Sequence, residues 1–387
     1  MPVFIGRDRE ARRCYGFDEI ALAPGEMTVN PEEVDTSVSI GGVRLAIPFL
    51  ASAMDGVVDA RFAVAMGKSG GLGVLNLDGI STRYEKPREV ALQIAGAGIE
   101  EATRLVQDLY REPPKEHLIA KRIEEIKKAK VPCAVSTIPQ NAEKYGAIAE
   151  EAGCDLFFIQ STVTTVRHQA TKYKPFDIAK FCRKSKMPVV VGNCVTYPVA
   201  LDLMEAGAAG ILVGVGPGAA CTTRGVLGLG VPQVTATVDC SAARDFLFKR
   251  SSRYVPIITD GGMSTGGDIC KAFACGADAV MVGSAFARTK EAPGQGFHWG
   301  MATPHSNLPR GTRIKVGVTG TLEEVLFGPS RTDDGSHNLV GALKTCMGAV
   351  GASTIKEMQL TEIIIAPSIR TEGKLFQKAQ GIGMGKF

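Results

Sequence analysis

The sequence predicts an α/β protein, a (β/α)8 TIM barrel with extra loops, and three observations carry that prediction. From residue 47 onward, short β-branched or apolar runs alternate with helical stretches, the pattern of parallel strands joined by crossover helices. Eight such units can be counted, which is the number that closes this kind of barrel. Glycine also ends successive helices just before the next strand, at Ala152-Gly153, Ala206-Gly207 and Cys275-Gly276.

In chain order the strands are expected at 47–53, 71–75, 132–137, 155–160, 188–193, 210–215, 255–260 and 278–283. Helices are expected between them at 59–68, 140–152, 175–183, 197–206, 241–250 and 266–275. The charged interval 97–130 reads as two helices broken at Pro113-Pro114, because it holds no strand-like run and is too short for a core of its own. Two stretches rich in Gly, Pro, Ser or Asp, 292–309 and 327–337, read as irregular loops, so that 292–337 is a candidate flap. Lid and plain disorder stay open for it. One catalytic domain over 1–387 is the expected organisation.

Composition narrows the function classes. The chain has 387 residues, 45% of them apolar, and a net charge of only +4 with basic residues spread throughout. That balance gives no nucleic-acid footprint, and an acidic partner should be small. No run approaches the roughly 20 apolar residues of a membrane span, and the opening MPVFIGRDREARRC lacks the apolar stretch of a signal peptide. A soluble, cytoplasmic protein with no membrane partner is expected. The ten cysteines form no C-x-x-C pair and the five histidines have no metal-ligand spacing. Most of the cysteines read as buried thiols, which leaves the question of whether one sits in a loop as a nucleophile.

Cys221 is that candidate. It ends the glycine-rich turn of GVGPGAACTTRGVLGLGVPQ after the sixth strand, and catalytic groups in such barrels sit at the C-terminal ends of strands. A buried structural thiol is the competing reading. The same turn could aim the carbonyls of Gly216, Gly218 and Cys221 at a monovalent cation. After the seventh strand, TDGGMSTGGD places Asp260 before Gly261 and Gly262; after the eighth, MVGSAF gives Gly283 and Ser284. Backbone N–H groups at these two strand ends suit a phosphate, and Asp260 suits a ribose diol. A plain Asp-Gly-Gly turn is the alternative. Ser52, Met54 and Asp55 follow the first strand and Asn193 the fifth. Met54 fits either a face against a purine ring or core packing, and Asn193 either contacts a ring or caps a helix.

ASAMDGVVDARFAVAMGKSGGLGVLN, VVVGNCVT, GVGPGAACTTRGVLGLGVPQ, TDGGMSTGGD, MVGSAFARTKEAPGQ and SHNLVGALKTCMGAVGA together resemble the IMP dehydrogenase and GMP reductase superfamily, over most of residues 45–352. The resemblance is strongest to the short IMP dehydrogenase-related subfamily of cyanobacteria and actinobacteria. It implies a barrel without the regulatory CBS (Bateman) repeats, the 97–130 helices standing in their place.

The resemblance further implies an NAD-dependent oxidation of IMP to XMP in guanine nucleotide biosynthesis. The Cys221 thiolate adds to C2 of the hypoxanthine, hydride passes to NAD+, and water hydrolyses the thioimidate that remains. By motif match Ser52, Met54, Asp260, Gly261, Gly262, Gly283, Ser284 and Met301 hold IMP, with Asn193 close to the ring. Gln160, Ser161, Thr162, Asn193, Gly214 and Gly216 lie toward NAD. Thr223 assists the water step, Arg310 is the candidate that activates water, K+ is a candidate ion at Gly216, Gly218 and Cys221, and a homotetramer is the expected assembly. Departures cluster on the cofactor and water side: Gln160 stands for a usual aspartate, Asn76 for a histidine, Ala219 for a serine, His298 for a tyrosine and Val316 for Glu or Gln, while Arg310 is followed by Gly311.

Two other functions compete. GMP reductase, which deaminates GMP with NADPH, shares the C-T-T-R loop, although Q-S-T after strand four and GVPQVTATVDC follow dehydrogenase usage. A noncatalytic purine-nucleotide sensor is the reading from another class, motivated by Gln160, Asn76 and Val316 and opposed by Cys221 and Thr223.

Overall fold

The computed structural model describes residues 3–171, 175–300 and 312–386. Eight parallel strands close into a barrel: β1 (Phe49–Ala51), β2 (Leu72–Asn76), β3 (Ala134–Thr137), β4 (Leu156–Gln160), β5 (Val189–Cys194), β6 (Gly210–Val213), β7 (Ile257–Asp260) and β8 (Ala279–Val282). Closure comes where β8 pairs with β1, Val280 opposite Phe49. Six strands lie within the segments predicted for them, and β2 and β5 each run one residue past theirs, to Asn76 and Cys194. Surrounding helices are Ala60–Lys68, Ala142–Glu151, Ile178–Lys184, Tyr197–Glu205, Gln233–Ser251 and Gly266–Ala274.

The two-residue period of the strands builds two separate cores. Leu50, Leu72, Val74, Leu156, Phe158, Val190, Leu212, Ile258 and Met281 point inward and fill the barrel. Their neighbours Phe49, Ala51, Leu75, Phe157, Ile159, Val191, Val213 and Val280 point outward and pack under the helices. Truncating a buried Leu or Phe of either set to Ala should cost about 2–5 kcal/mol. Two residues beyond the inward apolar set, the same faces carry Ser52, Asn76, Ser136, Gln160, Gly214, Asp260 and Gly283. The interior therefore changes from hydrocarbon to polar groups and glycines at the C-terminal rim.

The opposite end is plugged. Strands Val38–Ile40 and Val43–Leu45 form an antiparallel hairpin, and Ile40 and Leu45 join the interior cluster with 0% and 2% exposure. Its turn residues Gly41 and Gly42 have φ of 57° and 87°, the pair of positive φ values that a tight hairpin turn needs. Three-residue strands escape a periodicity search, which is why this plug has no counterpart among the predicted elements.

Two further differences have physical causes. The helix predicted to start at residue 241 begins at Gln233; the β-branched Val234, Thr235, Thr237 and Val238 weaken its local helical signal, and burial of Val234, Ala236 and Thr237 overrides it. Within 292–337, Phe297–Trp299 pairs antiparallel with Arg313–Lys315, and a helix Leu322–Leu326 is opened by a capping box of Thr321 and Glu324. Helices Ile99–Leu109 and Glu116–Lys127 lie on either side of Pro113-Pro114, preceded by Pro87–Gly96. Among the described residues no helix is long and apolar enough to cross a membrane.

Candidate active site

The polar rim opens into a cavity of about 790 Å³ at the C-terminal ends of the strands. Its wall includes Ser52 and Met54 after β1, Gln160, Ser161 and Thr162 at β4, Asn193 of β5, the loop 214–223 after β6, Asp260, Gly261 and Gly262 at β7, and Gly283 and Ser284 after β8. The predicted site residues within the described chain thus meet around one space. Met301 and Arg310 lie outside the described residues.

Asp260 is the electrostatic centre of the rim. It is half-buried, and its Oδ2 accepts hydrogen bonds from Asn193 Nδ2 at 2.8 Å and Gln160 Nε2 at 3.1 Å. Burial pushes its carboxyl up to about 6, and the two amide donors pull against that rise. Neither donor carries charge, so neither neutralises the carboxylate. Gln160 is oriented from behind, since its Oε1 accepts from Ser136 Oγ at 3.2 Å. Asn193 would point outward by strict alternation, but the register between β5 and β6 shifts between Gly192 and Cys194, and the irregularity brings its side chain to Asp260.

Cys221 lines the same cavity. Its side chain is exposed, its Sγ donates to Thr223 Oγ1 at 3.2 Å, and its backbone N–H is held by the carbonyl of Gly218 at 2.9 Å. Thr223 opens the short helix Thr223–Leu227 and is buried. Gly214 has no room for a side chain, because a Cβ there would lie 2.4 Å from the Asp260 carbonyl oxygen. Gly216, with φ of 80°, lets the loop pass over Arg224. Gln233 joins the two strand ends by donating to the carbonyls of Val213 at 2.6 Å and Asp260 at 3.4 Å. It lies in the GVPQ sequence, yet nothing local marks it for this task.

Also on the cavity wall, Ser284 Oγ and His298 Nε2 share a hydrogen bond of 3.0 Å. Burial and the nearby Arg288 charge push His298 down to about 4, so its imidazole is neutral at pH 7. His298 Nδ1 and Arg288 Nε are buried without a hydrogen-bond partner among the described residues. The backbone at Gly283 and the Ser284 hydroxyl, on the cavity wall, suit an anionic ligand group. Gly283 itself keeps the space clear, as a Cβ there would lie 3.1 Å from Met54 Sδ.

Ser161 Oγ is engaged with Val163 O and Thr164 Oγ1, both at 2.9 Å, whereas no such tie holds Thr162 among the described residues. Ile138 and Gln140, from the loop after β3, complete that side of the wall. No residue of that loop was singled out from sequence, because an ordinary Ile and Gln carry no motif. Among the described residues no group of three His, Cys, Asp or Glu side chains could hold a metal ion.

Residues 14–373 match the family model of the IMP dehydrogenase / GMP reductase domain. The chain belongs to this family. It is 38% identical over 366 residues to an uncharacterized oxidoreductase of Mycolicibacterium smegmatis, covering 92% of this chain and 98% of that one. It is 27% identical over 496 residues to an inosine-5'-monophosphate dehydrogenase of Methanocaldococcus jannaschii, with 96% of each chain covered. A crystal structure of an IMP dehydrogenase/GMP reductase-like protein from Corynebacterium glutamicum superposes with a TM-score of 0.89 at 34% identity, covering 94% of this chain and 98% of that one. In IMP dehydrogenase/GMP reductase terms, then, the present chain is a short form whose relatives of similar length include actinobacterial oxidoreductases.

Proposed function

We propose that this protein is an IMP dehydrogenase, oxidising IMP to XMP with NAD+ through a covalent adduct on Cys221. The observation that supports this reading most directly is the placement of an exposed thiol and a half-buried carboxylate on the wall of one cavity, with an anion-suited pocket beside them. Asp260 accepts the ribose hydroxyls, Ser284 with the backbone at Gly283 and His298 receives the phosphate, and Met54 lies against the base. The base is thereby carried over the Cys221 thiol, which adds to C2.

The nicotinamide cofactor supplies the hydride acceptor when bound. Ile138, Gln140, Ser161 and Thr162 fit its ring and ribose, offering an apolar face flanked by hydroxyl and amide groups, next to Cys221. Gln160 works on this side indirectly, by fixing Asp260. Thr223 Oγ1 relays the thiol proton outward, taking the S–H proton as it gives its own hydroxyl proton to water, since it already receives the S–H hydrogen bond. The segment between the paired strands Phe297–Trp299 and Arg313–Lys315 is the flap of this reading, and its Arg310 the residue that activates water. Gly216, Gly218 and Cys221 are the candidate K+ carbonyls.

The deciding experiment follows absorbance at 340 nm with IMP and NAD+, with and without K+, beside GMP and NADPH. NADH formed only with IMP, together with XMP, is the expected result. Consumption of NADPH with GMP would reassign the enzyme as a GMP reductase, and silence in both would favour a nucleotide sensor.

A further inference from the structure

His298 reaches the cavity on a ribbon of two short strands, Phe297–Trp299 paired antiparallel with Arg313–Lys315, with His298 opposite Ile314 and Trp299 opposite Arg313. Side chains alternate along a strand, and paired residues share a face. His298 and Ile314 therefore stand on one side of the ribbon, and Phe297, Trp299, Arg313 and Lys315 on the other. A two-stranded ribbon is marginal in water by itself, so its position is set by what the second face meets.

That face meets the helix Pro87–Gly96. Trp299, 1% exposed, shares a cluster with Ala91 and Ile94 of the helix. Arg313 Nη1 donates to the carbonyls of Ile94 at 2.6 Å and Ala95 at 2.9 Å. Both belong to the last turn of the helix, where carbonyls run short of amide partners and the dipole favours a cation. The same guanidinium lies 4.4 Å from the centroid of the Phe297 ring, so one side chain joins both strands of the ribbon to the helix. The helix is held at its start as well, where Arg88 Nη2 donates to the carbonyl of Glu291 at 2.6 Å, on the segment leading into Phe297.

We propose that Arg313 is a positioning residue for the anion-binding end of the cavity. By clamping the ribbon onto helix Pro87–Gly96 it fixes where His298 stands beside Ser284, and thereby how far the site favours a nucleoside monophosphate over its nucleoside. This deepens the reading of Gly283, Ser284 and His298 as the phosphate site and rests on it. Arg313 is not among the residues lining the cavity, and it acts through Phe297 and Trp299, the two neighbours of His298 along the strand. Loss of the clamp frees the ribbon and leaves Asp260 and Cys221 on their own strand ends. The contacts to ribose and base therefore survive while the phosphate loses its wall. A lysine keeps the charge but not the planar fork that spans two carbonyls and a ring.

The test uses the full chain with Arg313→Met, Arg313→Lys and a matched control, Arg253→Met. Arg253 grips a helix end in the same way, donating to the carbonyls of Met204 and Ala208, both at 2.7 Å, just before β7 at the N-terminal end of the barrel. Ligand-observed NMR, which reads weak affinities, compares IMP with inosine and GMP with guanosine. Using both pairs makes the answer independent of which nucleotide the enzyme turns over. In the native chain each monophosphate should bind more tightly than its nucleoside. Arg313→Met should cut that preference about 10-fold, by weakening the monophosphate alone. Arg313→Lys should show a smaller loss in the same ratio, and it carries the test alone if the methionine variant does not fold. Arg253→Met should lower Tm with the native preference intact. An unchanged preference in the Arg313 variants, an equal weakening of monophosphate and nucleoside, or the same change in Arg253→Met would overturn the proposal. A native chain that binds monophosphate and nucleoside alike would instead remove the phosphate site, and this inference with it.

Discussion

Gln160 and Asn193, from neighbouring strands β4 and β5, donate to the same oxygen of Asp260, which stands 100 residues from the first and 67 from the second. One carboxylate oxygen is thus saturated by protein, and Oδ1 is left to meet a ligand. Replacing Gln160 by Ala removes one of the two donors that hold the carboxyl down. Its affinity for protons should rise, and nucleotide affinity at pH 7 should fall at least about 10-fold, the worth of one hydrogen bond to a charged group. A nucleotide titration across pH, compared with the native protein, checks this; unchanged affinity at every pH would remove Gln160 from the site.

Asp260 itself predicts a pH signature in stability. Its folded-state carboxyl is raised from 3.8 to about 6, so the folded chain takes up this proton at a pH where the unfolded chain is still ionised. The stability that this group contributes therefore grows as pH falls from about 6 to about 4, and it opposes folding above that window. Asp260→Asn should raise Tm at pH 7, with the gain vanishing toward pH 4, while nucleotide binding weakens at least 10-fold. Calorimetric melts at the two pH values, paired with a binding isotherm, test both halves.

Cys221→Ala should keep IMP binding within about 1 kcal/mol and abolish turnover, because it removes the covalent route and leaves the rest of the wall intact. Incubation with 6-chloropurine ribotide should mass-label Cys221 in the native chain and nothing at that position in the variant. Normal turnover in the variant would sink the mechanism.

His298→Phe leaves Ser284 Oγ without its partner and takes away a neutral imidazole beside Arg288. Affinity for IMP should drop about 5–10-fold while that for inosine, which lacks the phosphate, stays level. Isothermal titration with both ligands separates a phosphate role from general damage, which would weaken the two alike.

Tyr110→Phe addresses the support behind the site. Tyr110 Oη donates to Asp55 Oδ2 and accepts from Trp299 Nε1 at 3.0 Å, joining the loop of Met54 to the strand of His298 through helix Ile99–Leu109. Burial already raises Asp55 to about 6, and loss of the tyrosine donor raises it further. The variant should lose about 1–3 kcal/mol of stability and bind nucleotide more weakly. A denaturant melt with and without IMP reports both effects.

The strands and their tips were readable because alternation and glycine punctuation are local. Cys221, Asp260 and Gly283 each follow a recognisable strand, so their convergence follows from barrel topology alone. The hydrogen bonds that orient Asp260 were not readable, since Gln160 and Asn193 meet it, and Ser136 meets Gln160, only after the sheet closes. The Ile40–Leu45 plug hid in strands too short to show a period. The Asp55, Tyr110 and Trp299 chain joins three segments whose sequences carry no shared signal. Local order exposes where functional groups sit, and long-range pairing decides what state they are in.

The plug has a kinetic corollary. With Leu50, Phe158, Leu212 and Met281 filling the barrel and Ile40 and Leu45 stopping its far end, the cavity is a blind well rather than a passage, and everything that enters must leave by the same mouth. Ligand traffic becomes a queue in which the outer occupant departs before the inner one can. In such a well an excess of the outer product should trap the inner ligand, so that uncompetitive inhibition by that product is built into the architecture.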